Sequence, residues 1–237
     1  MTLDPAEFFV LLKKFYGPQG WWPVICPETG ESRYYVIKKP DYNEAFEIII
    51  GSILTQNVAW KNVEKALFNL KKAEMLNPHV LKKTPVNLIA EKIRPSGYYN
   101  QKAIKIKNFI EWFEKVNFSF EPVLKNKTEN IRNNLLSVKG IGPETADSIL
   151  LYAFNRKIFV IDAYTKRIFS RLGNIDPSSS YEDAQNYFHS TVPGSAKLYN
   201  EYHALIVVHG KDVCKKKPLC DNCFIKSHCA HSSSVEN

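Results

Sequence analysis

The stretch Val138-Lys139-Gly140-Ile141-Gly142-Pro143-Glu144-Thr145-Ala146 predicts a tight turn that opens an apolar helix. Gly140 and Gly142 can adopt backbone angles that other residues avoid. Pro143 suits the first helical position, where the N–H that it lacks would have no partner within the helix. The N–H groups that follow point outward and favour a phosphate. We therefore expect this turn to hold a nucleic-acid backbone, with Asp162 at the start of the next helix as a candidate for chemistry.

The bulk composition is that of a globular protein with a basic surface. Hydrophobic residues make up 44% of the 237 residues, and the net charge of +8 favours a polyanionic partner. No apolar run approaches the ~20 residues of a membrane span, and no basic stretch followed by an apolar one begins the chain. We expect no membrane partner and a location in the cytoplasm, at the nucleoid.

Nearly every segment has the hydrophobic periodicity of a helix, so the predicted fold is all-α. Asp4 and Pro5 form a start signal for a first helix. The segment from Asn43 to Leu54 is apolar almost all round, which predicts a central helix. Gly210 is expected to end a late helix.

Four of the five cysteines fall within sixteen residues, with the spacing C-x5-C-x2-C-x5-C: Cys214, Cys220, Cys223 and Cys229. Four thiolates on one short loop can surround one metal centre. Spacing alone leaves two alternatives open, a tetrahedral zinc and a [4Fe–4S] cluster. Disulfides are a weaker third alternative, because nothing indicates secretion.

Taken together, these motifs resemble the endonuclease III superfamily of helix-hairpin-helix DNA glycosylases. The segment 135–153 resembles the family's hairpin, and Val160-Ile161-Asp162-Ala163-Tyr164 resembles its catalytic aspartate segment. Further matches are Leu54-Thr55-Gln56-Asn57, Gly97-Tyr98-Tyr99-Asn100-Gln101-Lys102-Ala103 and His209-Gly210. The cysteine loop is similar to the family's C-terminal [4Fe–4S] loop, although its first gap is one residue shorter than the usual C-x6-C.

The resemblance implies an all-α, two-lobed fold. Residues 38–156 would form a helical barrel that ends in the hairpin, and residues 1–37 with 157–230 would form the second domain, with the iron–sulfur loop. The cleft between them would hold Asp162, and the polar segment 231–237 would be a frayed tail. The expected cofactor is a [4Fe–4S] cluster, with zinc as the alternative. The expected partner is double-stranded DNA with a damaged base, bound by a monomer.

The hairpin also indicates which branch of the family the chain resembles. Bifunctional members carry a lysine there, whose amine attacks the sugar and forms a Schiff base. The matching position, eighteen residues before Asp162, is Glu144. A carboxylate cannot form an imine, so the resemblance implies a monofunctional enzyme in which water attacks. Lys139 and Lys166 are the candidates for a displaced lysine.

The N-terminal region resembles the branch that removes 3-methyladenine and related alkylated bases. The segments on which this resemblance rests are Gly20-Trp21-Trp22-Pro23, Phe46-Glu47 and Leu54-Thr55-Gln56-Asn57. The resemblance implies that Trp21 or Trp22 and Phe46 sandwich the flipped base. The alternative is that these aromatic side chains fill the core. For the two tryptophans we favour the pocket, because an exposed pair of indoles on a loop needs a purpose.

The remaining roles follow from the same resemblance. Asp162 would stabilise the positive charge that develops on the sugar and orient water, although a plain helix N-cap is its alternative role. Gln56 would fill the duplex as a wedge. The residues expected to contact DNA are Gln56, Lys139, Gly140, Gly142, Glu144, Thr145 and Lys211. A cation could bind the hairpin carbonyls of Leu136, Val138 and Ile141.

The predicted activity is therefore hydrolysis of the N-glycosidic bond of alkylated purines in duplex DNA. The alternatives are an endonuclease III-type glycosylase and lyase for oxidised pyrimidines, a mismatch-specific glycosylase, a catalytically silent DNA-binding module and a zinc-ribbon protein.

Overall fold

The computed structural model describes residues 3–34 and 39–235, including side chains except in residues 233–235. The described chain is predominantly helical, which confirms the all-α prediction. The strands among the described residues are one short antiparallel pair, β1 (Val24–Ile25) and β2 (Ser32–Arg33), in which Val24 lies opposite Arg33. No described helix is long and apolar enough to cross a membrane.

The helices follow one another through short turns. Their bounds are α1 Pro5–Tyr16, α2 Tyr42–Leu54, α3 Trp60–Lys72, α4 Pro78–Lys83, α5 Val86–Lys92, α6 Tyr99–Glu114, α7 Glu121–Leu124, α8 Thr128–Leu136, α9 Pro143–Ser148, α10 Ala163–Leu172, α11 Tyr181–Thr191, α12 Ala196–Asp212 and α13 Ala230–Val235. A π-helical segment, Ile149–Ala153, continues α9. Single 3-10 turns occur at Arg94–Ser96, Cys220–Asn222 and Lys226–His228.

The chain divides into two compact units, Met1–Trp21 with Lys157–Asn237 and Trp22–Arg156. We call them the terminal unit and the central unit. The predicted boundary between residues 37 and 38 lies outside the described residues, so the predicted domain limits stay a prediction. Residues 231–235, where the composition predicts a frayed tail, are helical, and 236–237 are outside the described residues.

The terminal unit is built around an aromatic core. Phe8 of α1, Phe169 of α10 and Tyr202 of α12 are buried and meet edge to face. Asp4 begins α1 by accepting N–H bonds from Ala6 and Glu7, as its start signal predicts. Packing of these helices fixes α10 and α12, which carry the candidate catalytic groups.

The central unit is built around α2, whose residues from Ala45 to Leu54 are all buried. Helices α3 and α6 and the π-helical segment contact it. An ion pair joins the two helices of the predicted hairpin: Arg132 of α8 donates to fully buried Asp147 of α9 from Nε at 2.7 Å and from Nη2 at 3.1 Å. This two-point contact fixes the angle between the helices that flank the turn.

The prediction that Gly210 ends α12 is wrong, because the helix continues to Asp212. A side chain at Gly210 would place Cβ 2.6 Å from Cδ1 of Tyr164. Glycine is therefore required here by the close approach of α10 rather than by a helix terminus.

Candidate DNA-repair site

The predicted turn between α8 and α9 is present and spans residues 137–142. Gly140 has φ +100°, a conformation that favours glycine, whereas Gly142 is extended and serves as the N-cap of α9. Pro143 is the first helical residue, and no side chain caps this helix. The N–H groups of Glu144 and Thr145 therefore lie in the first turn of a helix that has no side-chain cap.

Side chains of the central unit hold this turn from beneath. The Gln56 amide donates to the Gly140 carbonyl at 3.3 Å and to Thr145 Oγ1 at 2.9 Å. Lys105 donates to the Gln56 carbonyl oxygen, and Asn108 donates to the Lys139 carbonyl at 2.8 Å. Gln56, which is predicted to fill the duplex, thus forms its hydrogen bonds within the central unit. Its role in filling the duplex stays a prediction, and Gln56 would have to break these hydrogen bonds to enter the duplex.

A buried lysine supports the same region. Lys102 of α6 is 2% exposed and donates to the carbonyls of Leu54, at 2.8 Å, and Ser96, at 2.6 Å. Burial and the nearby charge of Lys105 lower the pKa of Lys102 to about 8. The Leu54 carbonyl lies at the end of α2, so this amine fixes the point at which the Gln56 turn begins.

The residues of the hairpin differ in their accessibility. Lys139, Gly142 and Glu144 are exposed, whereas Thr145 is buried. The Val138 carbonyl accepts the N–H of Ile141 at 3.0 Å, which uses one of its lone pairs. Whether these carbonyls hold a cation stays a prediction.

Asp162 begins α10 in the terminal unit, in the way that its sequence position predicts. Its Oδ1 accepts from the Thr165 N–H at 2.7 Å and from the Thr165 hydroxyl at 2.8 Å. Its Oδ2 lies 3.6 Å from Nε2 of His203, on α12. Burial by itself raises the pKa of this carboxyl, but His203 and the two bonds from Thr165 outweigh it, and the pKa lies below its ordinary value. The side chain is therefore a half-buried, ionised carboxylate.

Two partners of Asp162 were missed by the sequence reasoning. Thr165, three residues along α10, carries a recognisable signal, because a capping aspartate bonds groups at this spacing. His203 carries none, because it comes from a helix that begins at residue 196.

The three predicted base-pocket aromatics differ in burial. The expectation of two exposed indoles is wrong for Trp22, which is 6% exposed and packs on Trp60 and Tyr152 with ring centroids 5.4 and 5.2 Å away. Phe46 is 1% exposed and stacks on Phe113 within the central unit. Trp21 is half-buried. Contact between any of them and a base stays a prediction.

The loop that carries the two tryptophans is anchored to α12. The carboxylate of Glu201 accepts the backbone N–H groups of Gln19, at 2.5 Å, and Gly20, at 3.3 Å. Helix α12 thus presents Glu201 to this loop and, two residues later, His203 to Asp162. Trp21 ends the terminal unit, and Trp22 begins the central one.

The four clustered cysteines line one cavity in the terminal unit, together with Arg171, His209 and Ile225. None of them forms a disulfide. Burial raises the pKa of the Cys214 thiol, and Arg171, which donates to its sulfur at 3.2 Å, opposes that shift. Two further arginine bonds, from Arg167 to the carbonyls of Cys214 and Gly210, tie the loop to α10.

The placement of these sulfurs bears on the kind of metal centre. Among the described residues, no three Cys, His, Asp or Glu side chains are arranged to hold one metal ion. A tetrahedral zinc requires all four sulfurs about 2.3 Å from a single point. A [4Fe–4S] cluster takes one thiolate on each of four irons. The four thiols that line this cavity supply the donor set that either centre requires, so the kind of metal stays a prediction.

Lysines surround the cysteine loop. Lys211, at the end of α12, is exposed, as are Lys215, Lys216 and Lys217. Arg171 holds the backbone of this run by donating to the carbonyls of Lys215, at 2.6 Å, and Lys216, at 2.9 Å. The loop therefore presents an ordered patch of positive charge.

Comparison with known proteins supports this description. Residues 50–193 match the family described as HhH-GPD superfamily base excision DNA repair protein. The chain is 42% identical over 225 residues to a putative DNA repair glycosylase of Methanocaldococcus jannaschii, covering 94% of each chain. It is 35% identical over 188 residues to an endonuclease III of Sulfolobus acidocaldarius, covering 78% of this chain and 82% of the relative.

A solved structure is similar as well. The H. pylori 3-methyladenine DNA glycosylase bound to 1,N6-ethenoadenine has a TM-score of 0.68 and 29% identity, covering 88% of this chain and 98% of that one. The hairpin without a side-chain cap and the aspartate that caps α10 agree with the family match over residues 50–193. The chain therefore belongs to the HhH-GPD superfamily of base excision DNA repair proteins, and it is a DNA N-glycosylase.

Proposed function

We propose that the protein removes alkylated purines of the 3-methyladenine type from double-stranded DNA by hydrolysis, without cutting the strand. The observation that carries the reaction is the ionised carboxylate of Asp162, held by Thr165 and His203 at the start of α10. The 29% identity to a 3-methyladenine DNA glycosylase over most of both chains supports the substrate class.

The chemistry at Asp162 is electrostatic. Breaking the bond between base and deoxyribose leaves positive charge on the sugar, and a fixed carboxylate stabilises that charge. The same carboxylate orients the attacking water and accepts its proton, a contribution of roughly 10²–10⁴-fold. Because the two bonds from Thr165 and the nearby His203 ring keep the carboxylate ionised, it is ready for this role at neutral pH.

An alkylated purine suits such a site because it already carries a positive charge and leaves without protonation. Aromatic rings can recognise that charge by cation–π attraction, worth ~0.5–2 kcal/mol per contact. The half-buried Trp21 is the candidate that needs the least rearrangement, because Trp22 and Phe46 are both buried in the central unit. Extruding the base from the duplex costs a few kcal/mol.

The hairpin favours hydrolysis over a lyase reaction. Glu144 is exposed in the first turn of α9, where the family's lyases carry a lysine, and its carboxylate cannot form an imine. Of the two displaced candidates, Lys166 donates to the Ser179 carbonyl at 2.8 Å, and Lys139 is exposed on the turn. The buried Lys102 is engaged by two carbonyls.

The hairpin and the cysteine loop supply binding. The open start of α9 would accept a phosphate of the damaged strand, and Lys211 and its neighbours would add affinity that does not depend on sequence. Cys214, Cys220, Cys223 and Cys229 would hold a [4Fe–4S] cluster, which when bound orders the loop and contributes no step of the hydrolysis. Monomeric state and cytoplasmic location stay predictions.

One rival function has specific support. The 35% identity to an endonuclease III favours a bifunctional glycosylase and lyase for oxidised pyrimidines. The two functions differ in the covalent intermediate, because only the lyase forms an imine with the sugar.

A panel of duplexes tests both functions at once. Each duplex would carry one lesion: 3-methyladenine, 7-methylguanine, hypoxanthine, uracil or thymine glycol. We expect release of the alkylated purines, intact strands and no covalent adduct when borohydride is present. Release of thymine glycol with a trapped adduct would establish the rival, and the Lys139→Ala and Lys166→Ala variants would identify the amine.

Spectroscopy tests the metal centre independently of activity. We expect the purified protein to show the broad visible absorbance of an iron–sulfur chromophore, with about four irons per chain. Replacing Cys220 by Ser should abolish it, whereas Cys26→Ser should leave it unchanged. A colourless protein with one zinc per chain would favour the alternative.

A further inference from the structure

The segment that leads into Asp162 is buried but belongs to no helix or sheet. Residues 158–161 are all at most 5% exposed, and none of them lies in a regular element. Buried N–H and C=O groups nearly always have partners, because an unpaired one is costly. A strand would find those partners in its neighbour, so a segment outside any sheet must find them elsewhere.

Side chains of α11 supply these partners. The Phe159 N–H donates to Nε2 of His189 at 3.0 Å, and the Gln185 amide donates to the Phe159 carbonyl at 2.6 Å. The Ile161 N–H donates to the Tyr181 hydroxyl oxygen at 3.3 Å. Three side chains of one helix thus take the place of a paired strand.

The spacing of these three side chains matches the repeat of a helix. Tyr181, Gln185 and His189 are four residues apart, so they lie along one face of α11. The order of the contacts is antiparallel to the segment: His189, late in the helix, meets residue 159, and Tyr181, at its start, meets residue 161. The last of these bonds holds the residue immediately before Asp162.

The contacts also select one state of each group. His189 accepts through Nε2, which requires the neutral ring with its proton on Nδ1. Gln185 must point its NH₂ group at the Phe159 carbonyl and is 7% exposed. The ring of Phe159 also stacks on Phe188 of α11, with ring centroids 4.1 Å apart, which further fixes its position.

We propose that Tyr181, Gln185 and His189 are positioning residues that set the register of residues 159–161 and thereby the placement of the Asp162 carboxylate. This inference rests on the proposed function, because it assumes that Asp162 acts on the substrate. Thr165 and His203 orient the carboxylate from α10 and α12, whereas the α11 face fixes the backbone that carries it. A carboxylate displaced by a fraction of an ångström stabilises the sugar cation less well while DNA binding is preserved.

The test is single-turnover excision with enzyme in excess, which separates the maximal rate from half-saturation by DNA. We expect Gln185→Leu and Tyr181→Phe to lower the maximal rate about tenfold, with half-saturation changed less than twofold. Hydrogen exchange should show lost protection of the amides in residues 157–162. The matched control is Tyr187→Phe, on the same helix, whose hydroxyl meets Asn174 Nδ2 at 3.1 Å instead of the segment.

His189 offers a rescue experiment. Gln at position 189 keeps an acceptor for the Phe159 N–H, whereas Leu does not, so His189→Gln should retain most of the rate that His189→Leu loses. The Tyr181 and His189 variants decide the matter if Gln185→Leu fails to fold. The inference is overturned if these variants match Tyr187→Phe in maximal rate, or if their losses lie in DNA half-saturation.

The two proposals fail in different ways. If Asp162→Asn excises bases as fast as the wild type, the catalytic assignment is wrong whatever the α11 variants do. If Asp162→Asn is inactive and the α11 variants keep full rate, only the positioning role is wrong.

Discussion

The N-termini of helices α9 and α10 have the same backbone geometry but differ in whether a side chain caps the helix. Helix α9 begins at Gly142 and Pro143 without a side-chain cap, and helix α10 begins at Asp162, whose carboxylate bonds Thr165. Each start carries the partial positive charge of a helix N-terminus. In α9 no side chain caps the helix, and we propose that a DNA phosphate binds there, whereas in α10 the protein's own carboxylate caps the helix.

The two helices differ in the residue at the N-cap. Glycine and proline leave room at α9, because neither has a side chain that can fold back onto the N–H groups. Aspartate at α10 occupies the same place with one oxygen, while its second oxygen lies near His203. Under the proposed function, the residue at the N-cap therefore distinguishes the helix that binds DNA from the helix that carries the catalytic group.

The two starts are also held differently. Cationic and amide side chains of the central unit support the hairpin turn, among them Lys105 and Gln56. The α11 face and His203 support the segment around Asp162. Variants at each start should accordingly fail in different measurements.

The largest effect is expected at Asp162, the residue that caps α10. Asp162→Asn should lower single-turnover excision by about 10²–10⁴-fold, because an amide cannot stabilise the sugar cation. Asparagine caps helices as well as aspartate, so the fold should persist. Excision assays with circular dichroism and DNA-binding measurements check this result.

Asp4→Asn is the matched control, because Asp4 caps α1 in the same way. It should excise at the wild-type rate. Equal losses in both variants would show that capping, rather than the carboxylate at the sugar, explains the effect.

The next largest effect is expected at the glycine turn before α9, the helix without a side-chain cap. Gly140→Ala should lower DNA affinity about tenfold and stability by more than 1 kcal/mol, because φ is +100° and the new Cβ would lie 2.5 Å from Cγ of Lys105. Gly142→Ala has no atom within 4 Å of its Cβ and should cost less than about 1 kcal/mol. Thermal unfolding and fluorescence anisotropy distinguish them. Equal stability of the two variants would contradict the crowding at Gly140.

A smaller effect concerns Lys102, beneath the hairpin. Its pKa of about 8 in the folded protein lies below the ordinary value of 10.5, so the unfolded chain binds more protons between these limits. Stability should therefore rise with pH above 8, by at most about 3 kcal/mol. Lys102→Met should remove this rise, although it leaves two carbonyls without the amine. Urea unfolding from pH 7.5 to 9.5 measures both, and identical slopes would refute the shift.

The smallest effect is expected at Lys211. Lys211→Ala should reduce the slope of log affinity against log salt by about 1, with a few-fold loss of affinity. Lys83→Ala, an exposed lysine of the central unit, serves as the control and should leave the slope unchanged. Salt titrations of binding to undamaged and damaged duplexes give both numbers. An unchanged slope for Lys211→Ala would remove it from the DNA-binding surface.

Much of the local structure could be predicted because it depends on neighbours in sequence. The caps at Asp4 and Asp162, the buried helix up to Leu54 and the glycine turn follow from spacing and residue type. The prediction for Gly210 failed, because a glycine that ends a helix and one that admits a neighbouring ring have the same local signal.

The contacts around the site could not be predicted in the same way. Nothing near Trp22 in sequence indicates that Trp60 and Tyr152 bury it. Gln56, a polar turn residue, reaches across 84 positions to the Gly140 carbonyl. Such bonds depend on which helices pack together.

The sequence by itself determined the helical class, the open turn at Gly140 to Pro143, the carboxylate at Asp162 and the four-cysteine loop, because each is encoded by a few residues close together. Only the tertiary structure decided that His203 approaches that carboxylate, that the α11 face holds the segment before it and that the four thiols line one cavity. The physical reason is that burial and long-range hydrogen bonds are properties of packed helices, which no local pattern contains.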